Sequence, residues 1–188
     1  VKSNSTIKYC LCSQSLGGDR VFDIINELRG RGVSVYPVAD ELLKDICDTK
    51  TPQGIAAVAE ISRPKMGSLL DSGKIIVLLD RIQDPGNLGA IIRTAHAAGA
   101  GGVILSEGCA DPYSSKVLRA TMGSIFHVPV FYSCSLAEIC EEMKSRGYTI
   151  YASSLDADSA YYDQKYEGKP AVIIGNEANG IEKRLLEA

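Results

Sequence analysis

The chain has 188 residues, of which 45% are hydrophobic and 23% charged, and it carries a net charge of −3 with a pI of about 5.5. This length allows one sizeable domain or two small ones, and the composition is typical of a soluble globular protein. No apolar run approaches the length of about 20 residues that a membrane-spanning helix needs. The acidic balance counts weakly against a nucleic-acid partner, although a local basic patch or a second subunit can supply that contact.

The six cysteines are scattered along the chain without a C-x-x-C pair, and only two histidines accompany them. Zinc sites need clustered Cys and His ligands, so the sequence predicts no metal site. Several cysteines fall on apolar faces, which indicates reduced, buried thiols and predicts a cytoplasmic protein. Cys10 and Cys12 alternate as strand residues do, which favours a strand over a redox pair.

Residues 1–62 have the pattern of a small α/β domain that is short at its beginning. Apolar residues recur with helical spacing from Val21 to Leu28 and end at glycines. Asp40 is expected to open a short helix over 40–47 as its N-cap. Strands are predicted over 33–38 and 55–61.

Residues 63–73 contain Pro and Gly with little periodicity and predict a linker. From 74 to 188, near-continuous apolar strands alternate with helical segments. Strands are predicted over 75–79, 102–106, 127–131, 148–153 and 171–175, and helices over 87–98, 114–122 and 135–146. This alternation predicts an α/β domain with a mostly parallel sheet and helices on both faces. Ligands of such sheets bind beyond the carboxyl ends of the strands, which directs attention to the loops 80–87, 153–158 and 175–180.

The first of these loops lies in the stretch DRIQDPGNLGAIIRTAHAAGA. Pro85-Gly86 makes a turn, and Asn87 is predicted to be the N-cap of a helix beginning at Leu88. Arg93 follows between one and two helical turns later, and its planar fork suits a phosphate or a carboxylate. Taken alone, these residues could equally be a turn, a cap and a solvated surface cation.

The loop after the last predicted strand has the sequence GNEANG. Glycines at its two ends, Gly175 and Gly180, permit positive φ and close approach of the backbone to a ligand. Glu177 could accept a hydrogen bond, or pair with Arg93 if the two strands are neighbours. A polar turn followed by a helix is the alternative for this loop by itself.

The two loops indicate a particular protein family only when they are taken together. They resemble the two signature motifs of the SpoU (TrmH-like) branch of the SPOUT RNA methyltransferases. DRIQDPGNLGAIIRTAHAAGA is similar to the first motif and VIIGNEANGI to the second. The stretch SSKVLRATMGSIFHVPV also resembles the family between the two motifs. DTKTPQGIAAVAEI resembles the join between the family's N-terminal RNA-binding domain and its catalytic domain.

The resemblance implies S-adenosylmethionine-dependent methylation of a ribose 2′-hydroxyl in ribosomal or transfer RNA. It further implies a homodimer and a SPOUT-type fold with a C-terminal trefoil knot. From the apolar-run lengths and the Cys and His pattern, neither a membrane nor a metal partner is expected. Arg93 matches the family's essential arginine, and Asn87 and Glu177 match positions that shape the site. The matching cofactor-pocket residues are Ser153, Gly175, Asn176 and Gly180. An arginine stays protonated, so Arg93 is expected to hold the hydroxyl or a phosphate and stabilise alkoxide charge.

One feature of the family is absent from this sequence. The family's third motif, a Ser-Leu-Asn-Val-like helix downstream of the second, would supply a Ser and an Asn, much of the cofactor pocket and the knot. Its absence predicts weak cofactor binding and an incomplete knot. It also leaves a catalytically inert RNA-binding or ribosome-associated protein as an alternative. A nucleotide-binding α/β protein is less favoured, since the glycines at 99–102 follow a helix instead of a strand and no P-loop is present.

Overall fold

A computed structural model of the chain describes residues 5–49, 51–133, 135–154, 157 and 159–187. Contacts divide the chain into two compact units, Val1–Ser62 and Arg63–Ala188. None of the described helices is both long and apolar enough to cross a membrane.

The first unit is a three-stranded sheet with two helices. Its elements are β1 Ile7–Ser13, α1 Asp19–Gly30, β2 Ser34–Val38, α2 Asp40–Ile46 and β3 Ile55–Ala59. The strand order is β2-β1-β3, with β2 parallel and β3 antiparallel to β1. Cys10 and Cys12 of β1 are buried with Leu28 of α1 and Leu43 of α2, so the alternation of the two cysteines is that of a strand.

The N-cap predicted for α2 is wrong by one residue. Ala39 is the N-cap, and Asp40 is the first helical residue. The Asp40 carboxylate accepts hydrogen bonds from the hydroxyls of Ser13 and Ser15 instead of from the helix. These bonds lower the pKa of Asp40, with that from Ser13 as the largest cause.

The second unit contains a five-stranded sheet in the order β6-β5-β4-β8-β7, and every pair in it is parallel. The strands are β4 Ile76–Leu79, β5 Gly102–Ser106, β6 Val130–Ser133, β7 Tyr148–Ala152 and β8 Lys169–Ile174. The buried faces of β4 and β5 explain why their sequences are continuous apolar runs. The prediction for β6 began three residues early, because residues 127–129 form an irregular turn between the 3-10 helix Ser124–Phe126 and the strand.

Helices cover both faces of this sheet, as predicted. On one face lie α3 Met66–Leu70, α6 Leu136–Ser145 and α7 Lys183–Glu187. On the other lie α4 Pro85–Ala97, α5 Ser115–Ala120 and the 3-10 helix. The helix α3 falls within 63–73, the segment with a linker-like sequence. Its Leu69 and Leu70 are buried in the core, and burial of a leucine stabilises a fold by about 1.5–3 kcal/mol.

Candidate functional site

The two motif loops emerge side by side from neighbouring strands. Leu79 at the end of β4 pairs with Ile174 at the end of β8. The pairing continues one residue further, where Asp80 N donates to Ile174 O at 2.9 Å. Because both strands are parallel, their carboxyl ends meet at one edge of the sheet, the edge where α/β proteins bind ligands. The strands that precede the two loops are therefore neighbours, which allows the loops to contact each other.

Glu177 is the residue that joins the two loops. Its Oε1 accepts hydrogen bonds from Asn87 Nδ2 at 3.0 Å and from Asp84 N at 3.3 Å. Its Oε2 accepts from Gln83 N at 3.4 Å. Donors to a carboxylate favour its charged form, and they hold the pKa of Glu177 below its ordinary value, with the bond from Asn87 as the largest cause.

The predicted capping role of Asn87 is wrong. The helix α4 begins at Pro85, and its N-cap is Asp84, whose Oδ1 accepts from Asn87 N at 2.8 Å. Proline is favoured at the first helical position, since its missing N–H would be unpaired there, and this moves the cap to the residue before it. Asn87 thus lies inside the first turn, where its side-chain amide reaches Glu177.

Arg93 does not pair with Glu177, so the suggested ion pair is wrong. Six residues of helix separate it from Asn87, which corresponds to about 9 Å along the axis and about 240° of rotation. The Glu177 carboxylate is engaged by Asn87 and by backbone amides. Arg93 is exposed, and within the described part of the chain its guanidinium has no hydrogen-bond or ion-pair partner.

The buried side chain of Asn176 organises the second loop. Its Oδ1 accepts from the backbone amides of Ala178 and Asn179, both at 3.0 Å. Its Nδ2 donates to the carbonyl of Arg81, at the start of the first loop, at 2.7 Å. Backbone bonds between Asn176 and Gly180 close the turn at 2.9 and 3.0 Å. Loop 175–180 is consequently rigid in shape and tied to the first motif.

Gly175 and Gly180 are each required to be glycine, but for different structural reasons. Gly180 has a φ of 65°, a left-handed conformation in which glycine carries no Cβ penalty. Gly175 has no such torsion, but a Cβ there would lie 2.3 Å from the carbonyl carbon of Gly180. Only a residue without a side chain allows the two ends of the loop to approach so closely.

All four residues predicted to bind a cofactor line one cleft of about 600 Å³. They are Ser153, Gly175, Asn176 and Gly180, and Ile181, Lys183 and Leu186 add one cation and two apolar side chains. Ser153 Oγ donates to Ile173 O at 3.1 Å, which fixes the serine against β8. Of the loop 153–158, residues 155, 156 and 158 lie outside the described part of the chain. The cleft has the size and mixed polarity of a small-molecule site.

A buried carboxylate beside these loops was not singled out as a site residue from the sequence. Asp80, 3% exposed, accepts from Arg81 Nε at 3.1 Å and from Glu182 N at 2.9 Å. Arg81 adopts a φ of 55°, unusual for a residue other than glycine. The sequence does point to Asp80, because this charged residue directly follows an entirely apolar strand. A charge buried in that position must be paired, which makes it a candidate site residue.

The fold and the two joined loops define a SPOUT-type α/β methyltransferase domain, and the chain belongs to the SpoU family within that class. The model of the SpoU rRNA methylase family matches residues 74–188. A second model, described as RNA 2′-O ribose methyltransferase substrate binding, matches residues 1–65. The predicted family and fold class are confirmed.

A curated relative is the 23S rRNA (guanosine(2553)-2′-O)-methyltransferase RlmP of Bacillus subtilis. It is 36% identical over 156 residues, which cover 83% of this chain and 61% of that protein. The chain thus spans less than two thirds of this relative's length.

Solved structures with the same fold include two described with AdoMet bound. The rRNA methyltransferase of Sinorhizobium meliloti has a TM-score of 0.81 and 32% identity, covering 98% of this chain and 69% of that one. AviRb of Streptomyces viridochromogenes has a TM-score of 0.84 and 24% identity, covering 98% of this chain and 71% of that one. At that identity AviRb supports the fold alone.

Proposed function

We propose that the protein transfers a methyl group from S-adenosylmethionine to a ribose 2′-hydroxyl of ribosomal or transfer RNA. The observation that carries the proposal is the 3.0 Å hydrogen bond from Asn87 to Glu177, which joins the two motif loops beside the cleft. The printed descriptions of the relatives support it. The Bacillus protein is named as a methyltransferase of a 23S rRNA guanosine 2′-oxygen, and the Sinorhizobium structure is described as AdoMet-bound.

The cleft at Gly175–Gly180 suits S-adenosylmethionine, which would supply an electrophilic sulfonium methyl group. The close approach of Gly175 to Gly180 leaves backbone without side chains at that part of the cleft wall. Asn176 contributes differently, because its side-chain atoms are already bonded to Arg81 O and to two amides of its own loop. We assign it to shaping the cleft, and Gly175, Gly180 and Ser153 to contacting the cofactor.

Arg93 is proposed to hold the substrate in place. A guanidinium remains protonated and cannot remove the hydroxyl proton. It can donate in a fork to the ribose hydroxyl or to the adjacent phosphate, and so stabilise negative charge as the oxygen attacks. In this scheme the new O–C bond would form as the S–CH3 bond breaks, the sulfonium would leave as a neutral thioether, and the hydroxyl proton would pass to solvent water. The Arg93 side chain is exposed and has no partner within the described residues, so it is available for such a ligand.

Glu177 and Asn87 are proposed to position the site instead of exchanging protons with the substrate. Both carboxylate oxygens of Glu177 already accept hydrogen bonds, from Asn87 and from the backbone amides of Gln83 and Asp84. A carboxylate with a lowered pKa is also a weaker base. Holding reactants in line contributes much of the rate of such a transfer, so an error in loop position would slow it.

The proposal extends to domains and assembly. Residues 1–62 would contact the RNA, as the description of the matching family model suggests, and residues 74–188 would carry the transfer. The family resemblance supports a homodimer with the site at the subunit interface. Free cysteines at five described positions are in keeping with a reducing compartment, the cytoplasm.

The proposal is tested by mapping 2′-O-methylated nucleotides in total RNA from cells with and without the encoding gene. We expect one or a few sites in ribosomal or transfer RNA to lose methylation in its absence. The wild-type gene should restore them, and a gene carrying Arg93→Ala should not.

Two results would contradict parts of the proposal. Unchanged methylation at every mapped site after deletion would overturn the activity itself. Full restoration by Arg93→Lys would overturn the forked contact, since a lysine provides a charge of the same sign without the guanidinium geometry.

A further inference from the structure

A surface of the second unit, formed by α4, α5 and the 3-10 helix, is separate from the cleft. Gly89 of α4 packs so closely on α5 that an added Cβ would lie 2.3 Å from the Cβ of Ala120. Further along α4, His96 Nδ1 lies 3.1 Å from Ser124 Oγ of the 3-10 helix. We call this surface the basic face; its exposed members are Arg93, His96, Lys116, Arg119, Phe126 and His127.

The segments that form the basic face contain no acidic residues in their sequence. The chain has 23 acidic residues, roughly one in eight positions, but residues 85–106 and 112–137 contain none. The same two stretches contain Arg93, Lys116, Arg119 and both histidines of the chain. The net charge of −3 therefore hides a segregation of charge, and a local field of this sign attracts polyanions.

The basic face also presents flat rings to the solvent. His96 and His127 stack with centroids 4.9 Å apart and planes within 4° of parallel. Phe126, 47% exposed, lies next to this pair in sequence, and Met122 near it is 77% exposed. Nucleic-acid bases stack on exposed aromatic rings, while phosphates are bound by arginine and lysine.

We propose that the RNA strand carrying the target ribose crosses the basic face on its way to Arg93. Lys116 and Arg119 would bind phosphates, and an unpaired base would stack on Phe126 or the histidine pair. This inference rests on the proposed function and extends it, because it names a path for the substrate outside the cleft.

Arg93 belongs to the proposed site, which the homodimer would place at the subunit interface. For the remaining members of the face, the alternative occupant is a second copy of the chain. If that part of the face met itself across a two-fold axis, Lys116 and Arg119 would meet cations of the partner subunit. That arrangement is electrostatically unfavourable, whereas an RNA strand neutralises the same charges. The distribution of charge therefore favours RNA.

The test compares Lys116→Glu with Lys144→Glu in the 188-residue chain. Both lysines are exposed and the change of charge is identical, but Lys144 is on α6, on the opposite side of the sheet. The probe is a fluorescent uridine oligoribonucleotide of about 15 nucleotides, and the readout is anisotropy over a range of salt concentrations. Sedimentation velocity gives the oligomeric state of each variant.

We expect Lys116→Glu to weaken binding about tenfold and to lower the slope of log K against log salt by about one. Lys144→Glu should stay within about twofold of the wild type. Phe126→Leu, which keeps an apolar side chain without a ring, should weaken binding about fivefold with little change in the salt slope.

Three results would overturn the inference in distinguishable ways. Equal affinities of the wild type and both lysine variants would remove the RNA path and leave the proposed function intact. A change of oligomeric state in Lys116→Glu without a loss of RNA affinity would assign the face to a second copy. Failure of the wild type to bind the oligonucleotide would count against the proposed function as well.

Discussion

At the scale of single residues, Glu177 shows how an exposed carboxylate can be integrated into a loop. It is accessible to solvent, yet three donors from the other motif loop converge on its two oxygens. Those donors stabilise the ionised form in the folded protein and lower the pKa of Glu177, so folding is linked to its titration. A carboxyl with a lowered pKa adds stability above its unfolded pKa, and this stability is lost as the pH falls through its folded pKa.

Glu177→Gln is therefore expected to lower the melting temperature most at neutral pH. The difference from the wild type should shrink as the pH falls below the ordinary range of a carboxyl, because a protonated glutamate resembles glutamine. Thermal unfolding followed by circular dichroism between neutral and acidic pH measures this difference. Glu107→Gln is the control, an exposed glutamate whose carboxylate has no partner among the described residues. A difference for Glu177→Gln that does not change with pH would contradict the linkage.

Variants of Asp84 and Asn87 distinguish the capping of α4 from the contact between the two motif loops. Asp84→Ala should lower the free energy of unfolding by about 1 kcal/mol, since it removes the cap that accepts from Asn87 N at 2.8 Å. Asn87→Ala keeps that cap and removes only the bond to Glu177, so its unfolding free energy should fall less. Urea unfolding of the two variants measures the difference. A larger loss for Asn87→Ala would restore the capping role that the sequence suggested.

The sequence indicated which residues matter in this loop but misassigned two of their contacts. Asp84, Asn87 and Pro85 are all compatible with a helix start, and the position of the proline decides among them. Whether Arg93 can reach Glu177 depends on the angle around α4, which becomes certain only when the first residue of the helix is known. Small shifts of a boundary therefore change side-chain partners even where the element itself is predicted well.

At the scale of elements, α4 and α5 depend on Gly89. Glycine in the middle of a helix normally costs about 1 kcal/mol relative to alanine. At Gly89 the preference is expected to reverse, because an alanine Cβ would lie 2.3 Å from the Cβ of Ala120. Gly89→Ala should destabilise the protein by about 1–3 kcal/mol, as overpacking does.

Denaturant unfolding of two further variants completes this comparison. Gly67→Ala in α3 should be neutral or stabilising by up to about 1 kcal/mol, since a Cβ at Gly67 would meet nothing within 4 Å. The double variant Gly89→Ala with Ala120→Gly should recover part of the stability by opening space on α5. If Gly89→Ala proved as harmless as Gly67→Ala, the close packing of α4 on α5 would be wrong.

Prediction of elements succeeded where the hydrophobic pattern was strong. The strand β5 has the bounds foreseen, and β4 and β7 differ by one residue at one end. The helix α3 was missed because it is only five residues long, and its two buried leucines cannot form a periodic stripe. The shift of β6 reflects residues 127–129, which continue the turn after the 3-10 helix although their valine suits a strand.

At the scale of the whole molecule, the net charge does not describe how charge is distributed along the chain. A value of −3 counts against a nucleic-acid partner when it is averaged over the chain, although residues 85–106 and 112–137 contain cations and no acidic residues. The two buried clusters of the second unit lie on opposite faces of its sheet, and both consist of residues from 69 onwards. In the first unit, by contrast, the described buried hydrophobic residues are Cys10, Cys12, Leu28 and Leu43.

This contrast predicts unequal stability of the two units when they are expressed separately. The fragment 63–188 should unfold cooperatively, because both faces of its sheet are covered by its own helices. The fragment 1–62 should be marginally stable or partly unfolded, because a domain of about 60 residues buries too little surface to offset its conformational entropy easily. Calorimetry of the two fragments and of the whole chain provides the comparison.

The same fragments distinguish the proposed roles of the units. Since the residues of the cleft lie between Ser153 and Leu186, fragment 63–188 should bind S-adenosylmethionine with the affinity of the whole chain. Its affinity for RNA should be lower, because the unit matched by the substrate-binding family model is removed. If fragment 63–188 bound RNA as tightly as the whole chain, residues 1–62 would not contribute to RNA binding. The binding would then be assigned to the basic face. Non-cooperative melting of 63–188 would instead mean that its core requires the first unit.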